Sequence, residues 1–265
     1  MIRSVLRRTL GNLAAAVLLA STAQVSLGAM ALIDPALPGT KQTDFWSTNR
    51  LSTVESPGYG SFPGFGAWPG AIASSTPNVG SDGDAGLVKV ANGPGGGPFV
   101  SGASIYHGGT SATPNVLGGT LGVQDATPVA GVSNVVFQLQ IGEANGYDLF
   151  NGGLPVLNYN GGSQALAASY SDLIGHEFAG TFPDPLGGPD LPLYTNTYLL
   201  QWDVTGLGAT SLNVTFQGVQ HSQVYQLRLD QSDVFQAIPE PSSVTLAGLA
   251  MLGAIGMIWK KRRSR

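Results

Sequence analysis

The sequence predicts an all-β body: an antiparallel β-sandwich of jelly-roll type with long Gly/Pro-rich loops. Three observations carry this. Apolar residues recur at every second position in four separate stretches of the C-terminal half, the period of a half-buried strand. Glycine and proline are dense, 38 and 17 of 265 residues, and they break helices where they cluster. Between the two ends of the chain only one short stretch has helical spacing. Short antiparallel strands with Gly-rich turns and almost no helix imply a sandwich.

In chain order, Met1–Ala31 reads as a cleavable secretory signal helix. Arg3, Arg7 and Arg8 form its positive start, Leu13 to Ala20 its apolar middle, and Ala29-Met30-Ala31 an A-x-A cleavage pattern for signal peptidase. The body spans 32–236. Leu32–Leu51 is a polar lead-in containing Phe45 and Trp46. Ser56–Gly122 holds 18 of the glycines. It reads as a loop-rich first half rather than a linker, because linkers are poor in aromatics and this stretch has Tyr59, Phe62, Phe65 and Trp68. Leu87–Ala91 and Phe99–Tyr106 are its strand-like runs.

The stronger strands follow. Val135, Phe137, Leu139 and Ile141 alternate with Val136, Gln138 and Gln140. Tyr198, Leu200, Trp202 and Val204 do the same, then Leu212, Val214 and Phe216, then Tyr225, Leu227 and Leu229. Gly206-Leu207-Gly208 is a turn, Val156–Tyr159 a weaker strand, and Ser163–Ile174 the single stretch with short-helix spacing. No internal repeat is visible.

Charge narrows the function classes. The segment 32–241 sets four cations (Lys41, Arg50, Lys89, Arg228) against all 16 acids, a net −12. Such a body repels phosphate backbones, which argues against nucleic acid, and attracts divalent cations or basic partners. With no cysteine, disulfides, thiol chemistry and thiolate zinc sites are excluded.

No catalytic motif emerges, so the expectation is a non-enzyme. His107, His176 and His221 are far apart. His176-Glu177 opens like a metalloprotease motif but lacks the second histidine. No nucleophile elbow surrounds a serine, and the acids read as single turn residues. Asp82-Gly83-Asp84 in a glycine loop is a candidate calcium site through Asp82 and Asp84, without the distal Glu of a full loop. Asp230, after the last strand, is a further candidate ligand. Loop aromatics, Tyr59 and Trp68 first, with Phe62, Phe65 and Tyr106, suit stacking on sugar rings; the preferred reading is that they plug the sandwich ends.

Residues 237–265 have three parts: Pro239-Glu240-Pro241, an uncharged run from Val244 to Trp259, and Lys260, Lys261, Arg262, Arg263 and Arg265. The prolines fix φ and stiffen the motif into the extended shape a processing cleft grips. The 16-residue run is about 24 Å long as a helix. It suits a membrane span with snorkelling lysines, its basic end held in the cytoplasm. The alternative is an ordinary tail anchor.

This tail resembles the PEP-CTERM sorting signal of Gram-negative bacteria. The resemblance implies recognition by an exosortase, transient residence in the membrane, and removal of the tail during export. It also implies a surface or extracellular protein with a structural or adhesive role beside exopolysaccharide or biofilm systems. Two other readings of the body are a surface-presented carbohydrate-binding module and a hydrolase on the same fold.

Overall fold

The alternating stretches pair into two antiparallel sheets. The computed structural model describes residues 31–48, 51, 66–74, 83–101, 103–111, 113–184 and 187–238. Residues 1–30 of the signal segment with Ala29, Tyr59, Phe62, Phe65, Asp82, the Pro-Glu-Pro motif, the apolar run and the basic tail lie outside them. Among the described residues no helix is long and apolar enough to cross a membrane.

The strands are β1 (Lys41–Trp46), β2 (Ile72–Ala73), β3 (Gly86–Asn92), β4 (Phe99–Ser101), β5 (Ser104–Tyr106), β6 (Leu117–Asp125), β7 (Asn134–Gly142), β8 (Val156–Tyr159), β9 (Tyr170–Phe182), β10 (Leu191–Asp203), β11 (Leu212–Val219) and β12 (Gln223–Ser232). The larger sheet runs β4-β5-β12-β7-β10-β9, with β1 also on β12; the smaller runs β2-β3-β6-β11-β8. Strand β12 therefore carries β7 along one side and shares the other between β5 and β1.

One core joins the sheets. Phe137, Leu139, Leu200, Trp202, Leu227 and Leu229 from the larger sheet meet Leu87, Leu121, Val123, Leu157, Val214 and Phe216 from the smaller. The Phe137 and Phe216 rings touch across it at 6.0 Å. Burial of this apolar area is what holds the sandwich together without disulfides. Trp202 completes its burial by donating its indole N–H to the Leu166 carbonyl at 2.9 Å.

Four expectations are corrected. The helical stretch Ser163–Ile174 is an irregular segment running into β9, because β10 supplies a ladder along β9 and Leu166 bridges to Leu157. Strand β7 is buried on both faces rather than one, since segments from both ends of the body cross its outer face. The polar lead-in contains β1: Trp46 is fully buried and donates to the Ile72 carbonyl at 2.9 Å. Asp230 lies inside β12. It takes two bonds from Arg228, at 2.7 and 2.8 Å, and one from the Thr43 hydroxyl at 2.7 Å, so its oxygens are already engaged.

Candidate functional site

Strands β5, β7 and β9 end, and β10 and β12 begin, at one end of the larger sheet. A cleft of about 470 Å³ opens there. Its walls carry Tyr106, Tyr194, Tyr225 and Phe182, with Glu143 as the one acid and no lysine or arginine among the described residues.

A β-bulge shapes the cleft. Pairing of β12 with β7 slips between Val224 and Gln226, so Tyr225 is the extra residue. Val224 takes the core position that alternation assigns to Tyr225. The tyrosine ring instead lies over Gly142, where an added Cβ would stand 2.9 Å from it. Burial raises the pKa of both Tyr225 and Tyr106, so both remain phenols that can donate.

Each wall is fixed by hydrogen bonds. His221 Nε2 lies 3.1 Å from the Ser111 carbonyl, which can only accept; the neutral ring therefore carries its proton there. Its Nδ1 then accepts from Tyr106 Oη at 2.6 Å. On the opposite wall Tyr194 stacks on His176 at 4.1 Å and meets Phe178 edge-on at 5.9 Å. His176 Nδ1 lies 2.6 Å from Asn196 Oδ1. The Asn196 amide donates to Glu143 at 2.9 Å and to Asp148 at 2.8 Å, and Tyr198 donates to the same Asp148 oxygen at 2.7 Å. Burial, then the Asp148 charge, raises the Tyr198 pKa and keeps its proton in place. Glu143 is thus oriented by an amide behind it, while its carboxylate borders the cleft.

Residues singled out in the sequence fall elsewhere. Trp68 is half-buried against the core and donates to the Pro98 carbonyl at 3.2 Å. Both Asp84 carboxylate oxygens lie 2.8 Å from the Thr127 hydroxyl. Among the described residues no group of three His, Asp or Glu gathers to hold a metal. His107 is fully buried and pulled down to about 3 by that burial. It fills a cradle bounded by Gly118 and Gly218. Ala31 is exposed at the start of the described body. Of the two loop aromatics among the described residues, Trp68 and Tyr106, only Tyr106 lines the cleft. Tyr194, Tyr225, Phe182 and Glu143 were not legible as a set, since bulge and strand pairing bring them together.

Residues 237–263 match the family model of the PEP-CTERM protein-sorting motif. The chain carries a PEP-CTERM sorting motif. That motif implies export, a membrane-held precursor processed at the surface, and an exosortase as the processing partner. Comparison with curated proteins and with solved structures gave no match.

Proposed function

We propose that the PEP-CTERM tail delivers the β-sandwich to the cell surface, where its cleft holds a polysaccharide strand of the extracellular matrix. The observation that carries this is the cleft's lining among the described residues: four aromatic rings, amides and hydroxyls from Asn145, Gln223 and Ser111, one carboxylate and no lysine or arginine. Rings offer flat apolar faces to the C–H faces of sugars, and the polar groups reach their hydroxyls. The body's net −12 and Glu143 disfavour uronate polymers. The ligand class is therefore neutral or amine-bearing sugar.

Binding rather than hydrolysis fits better. Glycoside hydrolysis commonly uses two carboxyls across the scissile bond. Among the described residues Glu143 is the only acid lining the cleft, and Asp148 is committed to Asn196 and Tyr198 behind it. An adhesive contribution is supported by β9, an edge strand with Leu173 and Phe178 exposed.

Calorimetric titration of the secreted protein with neutral, amine-bearing and uronate oligosaccharides tests the reading. Binding of the first or second class, unchanged oligosaccharide after incubation, and no uronate binding are expected. Uronate preference or no binding at all would overturn it. Intact mass of the secreted form reads the removal of both terminal signals.

A further inference from the structure

Two of the buried glutamines on the outer face of the larger sheet, Gln138 and Gln201, each grip one end of the body. On β7, Gln138 accepts from the Ile33 N–H at 2.9 Å and donates to the Ile33 carbonyl at 2.7 Å. On β10, Gln201 accepts from the Ile238 N–H at 2.9 Å and donates to the Gln236 carbonyl at 2.7 Å. Its second amide hydrogen goes to Asn134 Oδ1 at 2.8 Å. A glutamine amide has the donor and acceptor of a peptide group, so each hook pairs with passing backbone as a neighbouring strand would. Beneath them Leu37, Val136 and Leu199 form a small apolar cluster on which Ile238 packs.

Ile238 is the residue immediately before Pro239 of the sorting motif. We propose that Gln201 is a positioning residue for the sorting cut: its hook pins the chain to the sheet directly before the motif and restrains cleavage until it opens. An extended peptide enters a processing cleft by offering its backbone N–H and C=O groups. Here the Ile238 N–H and the Gln236 carbonyl are already taken by Gln201, and the Ile238 side chain is seated on the sheet. Opening the hook frees Phe235 to Ile238, about 13 Å of extended reach at 3.3 Å per residue. The enzyme then draws on the opened fraction, so a change in that population changes the rate.

The full-length chain, expressed in cells that contain an exosortase, is followed by pulse-chase and intact mass. Gln201→Ala removes both bonds of the hook and is expected to shorten the precursor's lifetime about thirtyfold, the population change that two net hydrogen bonds carry. Gln138→Ala removes the matching hook at the other end and should leave the cutting rate unchanged. A short Gly-Ser insert between Ile238 and Pro239, with Gln201 retained, moves the motif away from the pin and should also speed the cut. The insert leaves the body's sequence intact, so it decides the matter even where Gln201→Ala folds poorly. An unchanged or slower cut with the insert would overturn the proposal. So would an equal acceleration by Gln138→Ala, which would mark general loosening.

Discussion

Replacing Asp44 with Asn should change how stability depends on pH. Asp44 lies on the inner face of β1, fully buried, with Oδ1 accepting from the Ala85 N–H at 3.0 Å. Its other oxygen is buried without a hydrogen bond. Burial, with added repulsion from Asp125 and Asp84, pushes the carboxyl up to about 7 from 3.8. The folded protein therefore holds a proton here that the unfolded chain releases between those two values. Stability from this group is full below 3.8 and lost as pH rises through about 7. At 1.36 kcal/mol per unit, the three-unit gap amounts to about 4 kcal/mol. His107 works the other way: pulled down to about 3 from 6.5, it contributes stability above 6.5 and loses it as pH falls toward 3. The two slopes oppose each other across their shared window. Asp44→Asn keeps an acceptor for Ala85 and cannot ionise. Urea unfolding of the secreted protein at acidic, intermediate and mildly alkaline pH should show the variant gaining on the parent as pH rises. The gain should approach about 4 kcal/mol above pH 7 and nearly vanish near pH 4. Titrating groups that do not couple to Asp44 cancel in the difference. A difference independent of pH, or a loss for the variant at alkaline pH, would refute the reasoning.

Three further outcomes follow from packing. Gly118→Ala would put a Cβ 2.6 Å from both the His107 Cβ and the Val219 carbonyl oxygen. Backbone cannot give way there, so a loss of about 1–3 kcal/mol in urea unfolding is expected. Tyr194→Ala and Tyr225→Ala remove partly buried cleft rings; each should weaken oligosaccharide binding about tenfold by calorimetry, while the fold is retained with a modestly lowered urea midpoint. Trp68→Ala should do the reverse, lowering the midpoint by loss of core packing and its bond to Pro98 while binding stays at the parent value.

How far the sequence could be read depends on which face a residue serves. Val135, Phe137, Leu139, Ile141 and Leu212, Val214, Phe216 are core where alternation puts them, because a strand's inner face is a local property of period two. Strand β9 was hidden because Tyr170, Leu173 and Ile174 mimic helical spacing; pairing with β10, more than 20 residues along the chain for Tyr170, overrode it. The cleft was hidden for a related reason. Tyr225 looks like a core residue until the bulge hands its place to Val224, and a bulge is set by the partner strand. Glu143 reads as a turn acid, and only the fold brings Asn196 behind it. The PEP-CTERM motif was legible because its parts are consecutive.

The outer glutamines show a different kind of failure. Alternation assigns Gln138, Gln140 and Gln201 to solvent, yet all three are buried. A buried amide without partners costs about 1–3 kcal/mol, so a partner for each buried group is strongly favoured. For Gln138 the partner is the Ile33 backbone, and for Gln201 it is Asn134 together with Gln236 and Ile238. Sequence alone cannot announce this, because the partners are main-chain groups whose side chains carry no signal. The same logic ties the sheet to its processing junctions. A leucine at position 201 would suit the apolar cluster as well, but it would leave the Ile238 N–H to be met by water and the Gln236 carbonyl with only the longer bond from the Asn134 amide at 3.4 Å. The choice of glutamine is therefore accounted for by the backbone it holds, and that backbone leads directly into the sorting motif.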